Sequence, residues 1–127
     1  MKDSVLHNII CLKTSIGVEF ITASNILYCS IFSNAVYVVF VNGTKLRVFH
    51  SLKELEIHLS KFNFYRCHSN CLVNLIHIAK YTHKTGELHL SNGSILVVAK
   101  DRRIGFNNMF TKRLLPQTHI QTIEVTN

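Results

Sequence analysis

The chain of 127 residues has no tryptophan, one proline, five glycines and only seven acidic residues. The glycines are scattered among turns, so no glycine-rich loop is available to cradle phosphates. The sparse acids form no pair suited to general acid and base work, and neither a low-complexity linker nor an internal repeat interrupts the chain. Long apolar runs are also missing. The longest, "AVYVVFV" at 35–41, is closed by Asn42 and Gly43 and falls far short of the roughly 20 residues a spanning helix needs. It reads as a buried strand. The opening "MKDSVLHNIICL" is too short and too polar for a secretory signal, and no small-residue cleavage site follows. The expectation is a cytoplasmic protein with no membrane partner.

What is present points to a packed globule. Apolar residues make up 47% and charged residues 17%, a composition that folds around one core rather than staying disordered. Basic residues outnumber acidic ones 14 to 7, and the excess is uneven. Residues 1–60 carry five basic against four acidic groups, while residues 61–127 carry nine against three. That asymmetry suggests a polyanion contacted mainly by the second half.

The four cysteines, in a chain without an export signal, are expected to be reduced thiols. Cys11 in "IICL" and Cys29 in "ILYCSI" lie in apolar contexts and read as buried, inert thiols. Cys67 and Cys71 belong to "YRCHSNCLVN" and raise sharper questions. Zinc would need a tight Cys-x-x-Cys knuckle and a second pair, and neither exists. A hydrolase would need a thiol beside its base, but Cys67 and His68 face opposite ways on a strand. No metal, no cofactor and no enzymatic activity are expected. The eight histidines read as structural.

The punctuation is that of an all-β chain with little helix. "IICLKTS" and "GVEFIT" flank Ser15-Ile16-Gly17 and suggest an opening hairpin. "ILYCSIF" and "AVYVVFV" are separated by Ser33-Asn34. Asn42-Gly43 between β-branched and aromatic runs predicts a type I′ hairpin turn. "HSLKELEIHLSKF" switches to helical period, with Leu52, Leu55 and Leu59 on one face and Ser51 with Glu54 forming a capping box. "FYRC" and "CLVNLIHI" read as strands around the polar break His68-Ser69-Asn70, and "ELHL" and "SILVVA" as a hairpin over Ser91-Asn92-Gly93. Asp101 is placed to N-cap a last helix, "RRIGFNNMFTKRLL", stopped by Pro116. "QTHIQTIEVTN" is a tail or an edge strand.

Two polar clusters stand out. Arg102 and Arg103 sit in the first turn of the last helix, where its dipole disfavours cations by about 0.3–1 kcal/mol each. Their presence makes sense if an anion binds there, so Lys100, Arg102 and Arg103 are expected to grip phosphates. Ser69 and Asn70 ride a break with little charge that is placed to present polar side chains to another molecule, and Asn34 belongs to the same class.

"FYRCHSNCLVNLIHI" followed by "GELHLSNGSILVVAK" resembles the LytTR family of bacterial DNA-binding domains. Phe64, Arg66, His68, Leu72, Val73, Asn74, Gly86, Asn92 and Gly93 match its pattern. Asn70 replaces the pattern's serine, Cys71 its aromatic residue, and Ala99-Lys100 its Ser-Arg. The resemblance covers about residues 17–115, leaving 1–16 as a leading segment with the first strand and 116–127 as a C-terminal tail. It implies a mostly β fold, an elongated set of small antiparallel sheets with one mid-chain helix and a short C-terminal helix. It further implies loops that enter major grooves, where Ser69, Asn70 and Asn34 read base edges while Arg66, His68 and Asn74 brace the reading loop. The implied role is control of transcription, either as the detached output domain of a two-component response regulator or as a stand-alone regulator. Its implied partners are double-stranded DNA, a homodimer on tandem half-sites and a separate upstream signalling protein. The alternatives are a protein- or ligand-sensing module built on an apolar cleft around Phe64 and Cys67, and a cysteine-dependent enzyme.

Overall fold

The computed structural model describes residues 8–116. The strands are β1 (Ile9–Thr14), β2 (Gly17–Thr22), β3 (Ile26–Phe32), β4 (Ala35–Phe40) and β5 (Lys45–Val48), followed by helix α1 (Leu52–Leu59). Then come β6 (Phe64–His68), β7 (Cys71–Asn74), β8 (Ile78–Thr82), β9 (Glu87–Leu90), β10 (Ile95–Val97) and helix α2 (Arg103–Thr111). They form three sheets, β1-β2, β5-β4-β3-β7-β6 and β10-β9-β8. Every pairing is antiparallel, and the expected fold class is the one found. The expected tail or edge strand at 117–127 lies outside the described residues. No helix among the described residues is long and apolar enough to cross a membrane.

The five-stranded sheet is the centre of the molecule because both its faces are apolar. On one face Ile26, Cys29, Val38 and Leu72 pack against Leu52, Leu55 and Leu59 of α1 and Leu12 of β1. On the other, Leu27, Val39, Cys67 and Val73 pack against Leu88 and Leu90 of the three-stranded sheet and Phe106 of α2. The capping box starts α1 as the sequence predicts. Glu54 N donates to Ser51 Oγ at 3.0 Å, and Ser51 N donates to Glu54 Oε1 at 2.9 Å, satisfying two of the otherwise orphaned donors of the first turn.

Several local expectations are corrected. The type I′ turn lies at Ser33-Asn34, where both residues have positive φ, 50° and 62°. At Asn42-Gly43 only the glycine does, at 91°. Gly43 N donates to Phe40 O at 2.8 Å and Phe40 N to Thr44 O at 2.9 Å, the longer hairpin with a glycine bulge. Asn42 serves it through its side chain, Oδ1 accepting from Thr44 N at 3.0 Å. The Ser91-Asn92-Gly93 hairpin repeats the pattern, with Gly93 N donating to Leu90 O at 2.9 Å.

Cys11 is exposed rather than buried. Strand alternation turns Leu12 into the core, and Cys11 stands opposite Phe20 on the outer face, where Phe20 is 73% exposed. A two-stranded ribbon packs on one side only. "CLVNLIHI" is broken after Asn74 by a 3-10 turn at Leu75–His77. Asn74 causes the break: Oδ1 accepts from Ile76 N at 3.2 Å, and Nδ2 donates to Ile26 O at 2.8 Å. Asp101 does not cap α2. It lies within a 3-10 turn, Lys100–Arg102, that leads into the helix. The helix ends at Thr111, well before Pro116.

Two expected outcomes follow from this packing. Asn74 is 1% exposed, so Asn74→Ala strands buried partners and lowers stability by about 1–3 kcal/mol, read from the denaturant midpoint. Burial pushes the Cys29 thiol up to about 12, and Cys67 and Cys71 are buried as well. A disulfide-exchange reagent at neutral pH should therefore titrate one thiol quickly, Cys11, and the remainder only in denaturant. A second fast thiol would contradict this packing.

Candidate nucleic-acid interface

Three polar segments meet at one end of the five-stranded sheet. The β6–β7 hairpin turns at Ser69-Asn70, and a bulge between Arg66 and His68 in its register lets Cys67 point inward while His68 stays exposed. The β3–β4 turn at Ser33-Asn34 lies alongside, since Ile31 N donates to Asn70 O at 3.0 Å across the β3–β7 pair. On the β6 side, Ala99 N donates to Cys67 O at 2.8 Å and brings Lys100 beside the hairpin. Asn34, Ser69, Asn70 and Lys100, remote in sequence, thus share one edge, and all are exposed.

The Ser69-Asn70 turn is held from both sides. Arg66 Nη2 donates to Ser69 O at 2.6 Å, and its Nε lies 3.2 Å from both Ser69 O and His68 O. Its Nη1 donates to Glu56 Oε1 of α1 at 2.9 Å. His68 Nδ1 accepts from Asn70 N at 3.2 Å, a bond that requires the tautomer protonated on Nε2. Arg66 and His68 both hydrogen-bond to the main chain of the turn. Asn74 does not, for it lies at the opposite end of β7, about 10 Å away at the usual strand rise. It braces instead the Ala23–Ile26 segment and the turn that follows it.

Arg102 and Arg103, at the start of α2, are tied to main-chain carbonyls. Arg102 Nη1 donates to Arg66 O at 3.2 Å, while Tyr65 Oη donates to Arg102 O at 3.2 Å. Arg103 Nε donates to Val98 O at 3.1 Å and its Nη2 to Thr85 O at 3.0 Å. Gly86, with φ at 76°, permits this, because a Cβ there would stand 2.5 Å from Nη2 of Arg103. A guanidinium has five donors, so both side chains retain N–H groups beyond these bonds.

Cys67 and Cys71 are buried beneath the turn, with Cys67 Sγ 3.8 Å from Cys71 O. Hydrogen bonding between the two thiol side chains, together with burial, raises the Cys71 thiol, and the same side-chain interaction lowers that of Cys67. Both pack in the core around Val73 and Val98. Sequence reasoning missed Glu56 and the coupling of the two turns. Glu56 meets Arg66 only through tertiary packing of α1 on β6, so no local pattern announces it.

Comparison with known proteins bears on the family and the fold. The family described as the LytTr DNA-binding domain matches residues 17–111. Among solved structures the chain is similar to the LytTr DNA-binding domain of a protein described as a putative methyl-accepting/DNA response regulator, from Bacillus cereus. Identity is 29% and the TM-score 0.69, over 81% of this chain and 96% of that one. No curated protein matches the chain. With the family matched over most of its length and the fold shared, this chain belongs to the LytTR family of DNA-binding domains.

Proposed function

We propose that the chain binds double-stranded DNA sequence-specifically, in the cytoplasm, as the output domain of a two-component regulator of transcription. The observation that carries this reading is the alignment of two exposed polar turns and a cationic segment along one end of a rigid sheet. Asn34, Ser69 and Asn70 read base edges in the major groove. Braced turns suit this role, since Arg66 and His68 leave the main chain little to reorganise on binding. Lys100 grips a phosphate directly, and Arg102 and Arg103 add their remaining donors while holding the segment in place. The same reading includes a homodimer on tandem half-sites and a separate signalling protein upstream.

A ligand-sensing role has one observation in its favour, a cleft of ≈ 430 Å3 lined in part by Phe64, Tyr81, Phe106 and Phe110. Cys67 does not line it. A module of that kind has no need for salt-dependent affinity toward duplex DNA.

Selection from random duplex DNA should enrich one motif. With about four to six phosphates bound, the slope of log K against log salt should lie near −4 to −5. A slope indistinguishable from zero rules the DNA reading out.

Variants then separate reading from gripping. Alanine at Ser69 and Asn70 should cost about 1–3 kcal/mol on the selected site, almost nothing on scrambled duplex, and leave the salt slope unchanged. Alanine at Lys100, Arg102 and Arg103 should weaken both duplexes alike and flatten the slope by about 1 for each phosphate released. Loop variants that bind both duplexes equally poorly would contradict the assignment of reading and gripping.

A further inference from the structure

Besides the segment next to β6, the interface has a second cation on its other flank. Arg47 is the penultimate residue of β5, the opposite edge of the five-stranded sheet. The register pairs Val36 with Val48 and Tyr37 with Arg47, so Arg47 lies at the end of the sheet that carries the Ser33-Asn34 turn. Both line a cleft of ≈ 360 Å3 that also includes Phe49, His50, Ser51 and Glu54.

Three features fit Arg47 to an anion. Its guanidinium carbon stands 5.5 Å from the centroid of the Phe49 ring, a cation–π contact that orders the side chain without using any of its N–H donors. Among the described residues no carboxylate pairs with it, whereas Arg66 is paired with Glu56. The acid within the cleft is already engaged, since Glu54 accepts from Ser51 N at 2.9 Å and lies 3.5 Å from His50 Nδ1. Arg47 is also exposed, unlike the half-buried Arg102 and Arg103.

We propose that Arg47, stacked on Phe49, is a phosphate-binding residue that clamps the DNA backbone on the β5 side of the interface. This rests on the DNA-binding reading above. Strand order at the sheet end runs from β5 through the two turns to β6 and Lys100. At the usual strand spacing, four intervals cover about 19 Å, more than the roughly 12 Å width of a major groove. Arg47 and Lys100 therefore meet phosphates on opposite walls of the groove that the turns enter. The charge asymmetry between chain halves conceals this, because the second clamp comes from the half with almost no net charge.

The test compares the full chain with Arg47→Ala, Arg47→Lys and Lys45→Ala on the selected site and on scrambled duplex at three salt concentrations. Lys45 is exposed on the same strand, two residues farther from the turn. Arg47→Ala should weaken both duplexes by roughly fivefold near ~0.15 M salt and flatten the slope by about 0.9, the weight of one bound phosphate. Arg47→Lys should restore most of the slope, and Lys45→Ala should change it by less than half as much. Thermal unfolding serves to confirm that each variant is folded. If the parent chain binds with a steep slope while Arg47→Ala matches it, the clamp is refuted and the DNA reading stands. Equal effects of Arg47→Ala and Lys45→Ala would also refute it, since that is the behaviour of diffuse charge. A parent chain with no salt-dependent affinity overturns both.

Discussion

Strand β3 contributes buried side chains to both faces of the central sheet along its first half, with only Tyr28 partly accessible. Ile26, Leu27 and Cys29 are all 0% exposed, with α1 and β1 on one side and the three-stranded sheet with α2 on the other. A strand buried on both faces can carry polar groups only at its ends, because a lone hydroxyl or amide in the layers would lose its water without replacement. The exception is Asn74 on the neighbouring β7, which is buried and satisfied by main-chain groups. The polar chemistry of the central sheet is therefore concentrated at its turns. Two of them, β3–β4 and β6–β7, emerge side by side because β3 and β7 are neighbours. The proposed interface is thus a consequence of strand order before it is a matter of which residues occupy the turns.

What the sequence reveals is set by the range of the interaction. Alternation and turn residues are local, so the hairpins, the capping box of α1 and the mostly β architecture are legible in the order of residues. Turn type is less so. Asn42-Gly43 has the favoured composition for a type I′ turn, yet Ser33-Asn34 adopts it, because Phe32 and Ala35 pair directly and leave only two residues to reverse the chain. Cys11 looks buried by its neighbours, but a ribbon with a single packed face exposes alternate residues whatever their polarity. Asn74 looks like a loop brace through the family pattern, although four residues of strand beyond Asn70 carry it to the other end of β7.

The interface itself was legible as residue types rather than as geometry. Ser69, Asn70 and Asn34 could be chosen because they are polar residues at turns, but nothing in their spacing says that Ile31 and Asn70 share a hydrogen bond. The arginines teach a related lesson. Counting charge makes Arg66, Arg102 and Arg103 equivalent, while in the fold all three donate to main-chain carbonyls. Net charge is a statement about the long-range field. How many cations remain to meet a phosphate depends on which carbonyls the fold leaves without partners.

The β3–β7 pairing has a further consequence, for the order in which the chain folds. The β3–β4 and β4–β5 hairpins are local and can form as soon as their turns exist, whereas β7 reaches β3 only after α1 and β6 have been made. Until it arrives, β3 is an open, apolar edge, the kind of surface that recruits other chains, and closing the loop around α1 requires entropy to be given up before any ladder bond repays it. Insertion of β7 ends that exposure and in the same step places Asn70 beside Ile31. During synthesis the β3 edge can close only once β7 has been made, and the pairing that closes it is the one that sets the two turns side by side.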